Sequence, residues 1–222
     1  MLKRTLRKYP AFYQAARSAR NWVRRWIATE VILPLNRRRE LSLWLRSGRP
    51  VPPPDAFKHA IVRTYGRTFR LTTLVETGTY LGDMVEAQRT RFRQVWSIEL
   101  SPELHRAALA RFAHARNVIL LEGDSADLIE TVVARLGGPA LFWLDGHYSA
   151  GNTARASLDT PIRRELEEIL GSHYAHVILV DDARHFGTGD YPTLDAVRAL
   201  VAERRPGWTC VVKNDVIRIA AP

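Results

Sequence analysis

The sequence contains very little cysteine and no long hydrophobic run. Its single cysteine, Cys210, excludes an internal disulfide framework and a cysteine-based metal cluster, and it favours a reducing compartment. The best candidate for a membrane span, residues 26–35, contains Glu30 and Pro34 and is far shorter than the roughly 20 apolar residues that crossing a bilayer requires. The first residues also lack the apolar centre of a secretory signal peptide. We therefore expect a cytoplasmic protein.

Acidic residues are scarce in the first 50 positions, where 13 lysines and arginines stand against Glu30 and Glu40. This segment has a net charge of +11, whereas the remaining residues sum to −1. Apolar residues recur among these cations at helical spacing, as at positions 22, 23, 26 and 27. The pattern predicts a basic amphipathic helical extension. It could pack on the following domain, lie on an anionic membrane surface or bind nucleic acid, and nucleic acid is the least favoured partner.

Prolines mark the end of this extension. Gly48 and four prolines at positions 50, 52, 53 and 54 form a stiff connector through which a helix cannot continue. We therefore place a basic extension and connector at 1–54 and a single domain at 55–222. A chain of 222 residues can hold one sizeable core plus such an appendage.

Past the connector, β-rich runs alternate with helical patterns, which is typical of a parallel sheet covered on both faces. We predict strands at 72–77, 94–99, 118–123, 140–145 and 176–181, and helices that start near Gly82, Pro102, Ser125, Pro161 and Pro192. Two β-branched runs, 209–212 and 216–219, predict a closing hairpin. The expected fold is an α/β, Rossmann-like doubly wound sheet that is mainly parallel, with a C-terminal antiparallel β-hairpin.

The stretch 71–100 has the outline of a nucleotide-type pocket. Its first turn reads E-x-G-x-Y-x-G at Glu76, Gly78, Tyr80 and Gly82, and Glu99 ends the next predicted strand 17 positions past Gly82. A dinucleotide fingerprint needs a glycine in the middle of this turn so that the backbone can approach a pyrophosphate. Tyr80 would obstruct that approach. The turn therefore favours a ligand with adenosine but no phosphate, and a dehydrogenase is the weaker alternative.

The order of five segments and the closing hairpin resembles a class I S-adenosylmethionine (SAM)-dependent methyltransferase over residues 70–222. The segments read VETGTYLGD, WSIELSPEL, LLEGDS, FWLDGHYS and ILVDDAR. The resemblance implies that SAM is the cofactor, that the first loop holds its amino acid end and that Glu99 takes the ribose hydroxyls. It also implies that Asp124 and Ser125 lie at the adenine. From the residues alone, the glycines could simply form a tight turn, and Asp124 could cap a helix.

Three carboxylates, Asp145, Asp181 and Asp182, end the fourth and fifth predicted strands, which are adjacent in such a sheet. Their crowding is costly unless a cation or protons compensate it, and hard oxygen ligands favour Mg²⁺. The alternative is that Asp181 or Asp182 bonds the loop backbone. The pattern D-G-x-Y-S followed by D-D resembles the macrocin-type sugar O-methyltransferases, in which the matching acids hold a divalent ion. This chain has His147 where that family has a second acid.

Methyl transfer to a hydroxyl also requires a proton acceptor, and Asp145 and His147 are the candidate catalytic residues. His185 is a second candidate histidine, and Arg184 could hold an anionic group. The sequence thus predicts a SAM-dependent methyltransferase that acts on a hydroxyl of a small molecule or sugar, with assistance from a divalent metal. The alternative is a non-catalytic membrane- or partner-binding module on a methyltransferase-like scaffold.

Overall fold

The computed structural model describes residues 33–145 and 161–222. The chain divides into two units, Met1–Pro50 and Val51–Pro222, and each is described by itself. In the first unit, helix α1 (Leu33–Arg46) is followed by a turn in which the Trp44 indole N–H donates to the Pro50 carbonyl at 2.7 Å. Among the described residues, the helices are all too short or too polar to cross a membrane.

The second unit alternates helices and strands along the chain, as the sequence pattern predicts. Its elements are α2 (Asp55–Thr68), β1 (Thr73–Thr77), α3 (Asp83–Gln88), β2 (Gln94–Glu99), α4 (Pro102–Arg111), β3 (Val118–Glu122), α5 (Ser125–Arg135), β4 (Leu141–Leu144), α6 (Ile162–Gly171), β5 (Val177–Val180), a 3₁₀ turn (Ala183–His185), α7 (Leu194–Arg204), β6 (Thr209–Lys213) and β7 (Val216–Ala220). Each predicted strand is present, with its ends within one residue of the predicted positions.

The strands form one seven-stranded sheet in the order β3-β2-β1-β4-β5-β7-β6. The first five strands are parallel to one another, and β7 pairs antiparallel with both β5 and β6. The expected doubly wound, mainly parallel sheet with a C-terminal antiparallel hairpin is confirmed. Strand order reverses between β1 and β4, and ligands of such sheets bind at the carboxyl ends of the strands beside this switch point.

Helices cover both faces of the sheet because neighbouring side chains of a strand point to opposite faces. Leu74 packs in a buried cluster with α2, α3 and α4, and the adjacent Val75 packs in a second cluster with α5, α6 and α7. The central strands are apolar on both faces, as buried parallel strands require.

Local capping fixes where several helices begin. Ser101 caps α4 by accepting the Leu104 N–H at 3.4 Å, and Pro102 takes the first helical position, as predicted. Thr193 caps α7, which starts two residues later than the predicted Pro192. The final hairpin has a two-residue turn, Asn214 and Asp215, both with positive φ, so Lys213 belongs to β6 rather than to the loop.

Candidate functional site

The loop after β1 lies against the end of β2 through backbone hydrogen bonds. The amides of Gly78 and Thr79 both donate to the Ile98 carbonyl, at 2.9 and 3.2 Å, and the Gly82 amide donates to Thr79 at 2.8 Å. The Tyr80 amide donates to the Glu99 carboxylate at 2.7 Å, while the Tyr80 side chain stays 53% exposed. These four amides therefore already have protein acceptors, which leaves the loop poorly suited to cradle a pyrophosphate.

Gly82 is required by both conformation and space. Its φ is +79°, and a Cβ at this position would lie 2.7 Å from the Cε2 atom of Phe112. Arg111 holds the same loop from outside, since its guanidinium donates to the Leu81 carbonyl and pairs with Asp83 at 2.9 Å. The first loop thus packs on the end of α4.

Glu99 is buried at the carboxyl end of β2, with 5% of its surface exposed. Its Oε2 accepts the Tyr80 amide, and its Oε1 accepts the Ser101 amide at 2.9 Å. Each carboxylate oxygen offers two acceptor positions, so one remains on each for a ligand. The two amides fix the orientation of the carboxylate beside the first glycine loop.

Glu76 lies deeper, on β1, where its carboxyl is completely buried. The Ser97 hydroxyl donates to Glu76 Oε2 at 2.6 Å, and Thr79 Oγ1 lies 2.6 Å from Ser97 Oγ. Burial raises the pKa of Glu76 to about 8, because the Ser97 hydrogen bond compensates only in part and the carboxylates of Asp145 and Glu99 raise it further. At neutral pH this side chain is therefore mostly an uncharged acid.

Asp124 and Ser125 follow β3 beside Glu99, whose carbonyl accepts the Gly123 amide at 2.9 Å. Asp124 caps α5, since its Oδ1 accepts the Ala126 amide at 2.9 Å, and Ser125 is buried in the first turn. The capping alternative is thus realised at Asp124. Contact of either residue with adenine stays a prediction.

The acidic cluster forms at the ends of β4 and β5. Ligand atoms of Asp145, Asp181 and Asp182 all lie within 4.8 Å of one another. The Asp145 amide donates to the Thr77 carbonyl at 3.1 Å, which brings the cluster next to the first loop. The three carboxylates that the sequence grouped are therefore together, and Asp145 lies near enough to Glu76 on β1 to affect its pKa.

Among the described residues, two cations contact this cluster. The Lys58 ammonium, from the first turn of α2, forms an ion pair with Asp181, and Arg184 pairs with Asp182 at 2.6 Å and with Asp215. Burial raises the pKa of the Asp181 carboxyl; the Lys58 charge opposes this effect, and the adjacent Asp182 reinforces it. Asp182 has a φ of +55°, and its amide donates to Asp181 Oδ1 at 2.9 Å. The predicted loop-backbone bond of Asp181 is thus present as well.

Of the two candidate histidines, the structure describes His185 alone. His147 lies outside the described residues. His185, in the 3₁₀ turn, stacks in a tilted geometry with Tyr191, with 5.8 Å between ring centroids. Arg184, proposed from sequence to hold an anionic group, contacts the carboxylates of its own chain.

Four polar residues of the site were not identified from the sequence motifs. Ser97 contacts Glu76, and Thr79 contacts Ser97. Lys58 pairs with Asp181, and Asp215 accepts the amide of Arg184 at 2.8 Å and pairs with its guanidinium. Asp215 lies in a turn, where an aspartate is expected for conformational reasons alone. The requirement for a compensating cation was the one signal that pointed toward a residue such as Lys58.

The chain matches no protein-family model and no curated protein. Its structure is similar to solved methyltransferases. An O-methyltransferase from Bacillus cereus in complex with SAH matches with a TM-score of 0.53 and 13% identity, over 89% of this chain and 96% of that chain. The O-methyltransferase TomG from Streptomyces achromogenes, involved in tomaymycin synthesis and in complex with SAM, gives 0.51 and 15%, over 84% and 89%.

An enzyme of different acceptor type is equally similar. The N-methyltransferase NodS from Bradyrhizobium japonicum matches with a TM-score of 0.51 and 12% identity, over 76% of this chain and 96% of that chain. Likeness at such low identity establishes the architecture and leaves the acceptor open. The chain has the class I methyltransferase fold.

Proposed function

We propose that this protein is a SAM-dependent methyltransferase that acts on a hydroxyl of a small molecule or sugar. The observation that carries the proposal is the position of Glu99. Its buried carboxylate is fixed by two backbone amides at the end of β2, directly beside the first glycine loop. One acceptor position remains on each oxygen, and such a pair matches the two neighbouring hydroxyls of a ribose.

The engaged amides of the first loop support an adenosyl ligand without phosphate. A pyrophosphate would need backbone N–H groups that point at it, as in a dinucleotide-binding turn. Here Gly78, Thr79 and Tyr80 donate to Ile98 and Glu99 instead. This arrangement favours SAM over a nicotinamide dinucleotide, and we assign Glu76, Gly78, Tyr80 and Gly82 to its amino acid end.

The residues of the site have distinct roles in this reaction. Bound SAM would supply a methyl group on a sulfonium sulfur; an acceptor oxygen would attack the methyl carbon in line with the C–S bond, which would break to leave S-adenosylhomocysteine. Glu76, once ionised, attracts the ammonium of the cofactor's amino acid end, and Glu99 fixes the ribose. Asp145 and His147 are our candidates to take the proton of the acceptor hydroxyl. Positioning of the two reactants then accounts for much of the rate.

A divalent ion fits the donor chemistry of the acidic cluster. Asp145, Asp181 and Asp182 offer carboxylate oxygens within 4.8 Å of one another, and such hard oxygens suit Mg²⁺. An ion held there would lower the pKa of an acceptor hydroxyl. We retain the macrocin-type O-methyltransferases as the proposed subfamily on the strength of these acids.

Isothermal titration calorimetry with S-adenosylhomocysteine (SAH) tests the central proposal. We expect the full chain to bind SAH and the Glu99→Gln variant to lose at least tenfold in affinity. Glu122→Gln is the matched control, because Glu122 is the register partner of Glu99 on β3, is about half exposed and pairs with His105. An unaffected Glu99→Gln variant, or a wild-type protein that gives no heat, contradicts the proposal.

The alternative function is a non-catalytic membrane- or partner-binding module, and the basic extension favours a lipid partner for it. Residues 1–50 have a net charge of +11, and within them α1 exposes Leu43 and Leu45 at 56% and 47% beside arginines. Apolar side chains among cations suit an anionic membrane surface. We propose peripheral contact with the cytoplasmic face of a membrane, either together with methyl transfer or in place of it.

A further inference from the structure

Lys58 is placed where a cation of the acidic cluster would lie. Its ammonium pairs with Asp181 Oδ2, its side chain is only 17% exposed, and the side chain of Asp181 is not exposed at all. Lys58 belongs to the first turn of α2, whereas Asp181 directly follows β5, so the pair forms only in the folded chain. A carboxylate as buried as Asp181 stays ionised only when a partner charge compensates it.

A divalent ion at the cluster would meet that ammonium directly. Asp181 Oδ1 accepts the Asp182 amide and Oδ2 contacts Lys58, while the ligand atoms of all three aspartates lie within 4.8 Å. Two cations this close in a site shielded from water repel each other strongly. The lysine and the ion therefore compete for the Asp181 carboxylate.

We propose that Lys58 is the resident cation of the Asp145–Asp181–Asp182 cluster and that a divalent ion binds Asp181 only by displacing it. Arg184 pairs with Asp182 in the same way, but it also pairs with Asp215. Lys58 is therefore the cation that an incoming ion displaces. The folded chain then tolerates its crowded carboxylates without metal. The lysine also weakens the cluster's affinity for any divalent ion.

Mn²⁺ binding, followed by the electron paramagnetic resonance signal of the free ion, tests the proposal without reference to methyl transfer. We expect Lys58→Met, which keeps an aliphatic stem and removes the charge, to bind Mn²⁺ at least tenfold more tightly than the wild-type chain. Arg63→Met, on the same helix but exposed, is the matched control and should leave the affinity unchanged. An unchanged affinity in Lys58→Met overturns the proposal, as does an absence of Mn²⁺ binding in every variant.

A second measurement uses the wild-type protein, in case Lys58→Met does not fold. Lys58 is one of only four lysines, and Lys213 is exposed on β6, so amine acetylation read by mass spectrometry can compare the two. We expect Mn²⁺ to increase acetylation of Lys58 severalfold and to leave Lys213 unchanged. If Mn²⁺ binds and the reactivity of Lys58 stays constant, the lysine is not displaced. Neither outcome depends on SAH binding, so this proposal and the proposed function fail independently.

Discussion

The hydroxyl of Ser97 donates a hydrogen bond of 2.6 Å to the carboxyl of Glu76, its register partner on the neighbouring strand. Thr79 extends this buried chain of polar groups to the first loop. Burial raises the pKa of Glu76 to about 8, against about 4.5 for an ordinary glutamate. Most of the folded molecules therefore carry a proton on Glu76 at pH 7.

Binding of SAH at pH 7 should release this proton. The ammonium of the ligand favours the ionised carboxylate, so the pKa of Glu76 falls when the ligand binds. The apparent binding enthalpy should then differ between phosphate and Tris buffers. The difference should be close to the difference between the ionisation enthalpies of the two buffers, as expected when about one proton is released per bound ligand. Glu76→Gln should remove the buffer dependence. Equal enthalpies for the wild-type chain in both buffers would contradict this assignment of Glu76.

Gly82→Ala should destabilise the first loop. The positive φ and the short approach to Phe112 together predict a loss of about 1–3 kcal/mol in the free energy of unfolding. SAH affinity should fall as well, because the loop cannot keep its position against β2. Gly137→Ala is the control, since a Cβ there meets nothing within 4 Å. Urea denaturation of both variants measures the difference, and equal stabilities would show that the loop adjusts without cost.

His176 should make the folded protein less stable at acidic pH. It is buried, its Nδ1 accepts the Ala140 amide at 3.0 Å, and its Nε2 lies 2.9 Å from the Ser172 hydroxyl. Burial, with the nearby charge of Arg205, lowers the pKa of His176 to about 4. The unfolded chain takes up a proton as pH falls below about 6.5, and the folded chain does not.

Stability should therefore fall between pH 6.5 and pH 4, with His176 contributing up to about 1 kcal/mol per pH unit. Urea denaturation at pH 7.5, 6 and 5 measures this slope. His176→Gln should be less stable at pH 7.5 but should lose part of the slope. The exposed His114→Gln is the control and should keep it. If the two variants show the same slope, His176 does not determine the acid sensitivity.

The basic extension should bind anionic vesicles in a salt-dependent manner. Each arginine near such a surface contributes about 1 kcal/mol, so Arg24→Gln with Arg25→Gln should lower partitioning by roughly thirtyfold. The same double change at the exposed Arg63 and Arg67 of α2 is the control. Flotation with phosphatidylserine vesicles at two salt concentrations measures both. Equal flotation of the two variants would exclude a specific role for the extension.

Much of the fold could be predicted because the chain signals its elements locally. Apolar runs, glycine turns and helix caps such as Ser101 placed the parallel strands within one residue and located the closing hairpin. The predicted acids also fell at the correct strand ends, since that position follows from the strand limits alone. Glu99 and the three aspartates therefore lie where they were expected.

Pairing across the sheet could not be predicted in the same way. Strand limits do not specify which residues pair. The structure aligns Thr73 with Gln94, and a slip of one residue would change which side chains share a face. Only the correct register pairs Glu76 with Ser97. The contact of Lys58 with Asp181 could not be predicted for a related reason: it depends on how α2 packs on the folded sheet.

The turn of the last hairpin connects the C-terminal strands to the acidic cluster. Asp215 accepts the backbone amide of Arg184 and pairs with its guanidinium, and Arg184 in turn pairs with Asp182. Asp215→Asn would leave Glu76 and Glu99 in place on β1 and β2, yet it would weaken the contact that holds Arg184 against Asp182. Such a variant should still recognise an adenosyl ligand while the geometry of the aspartate pair is lost.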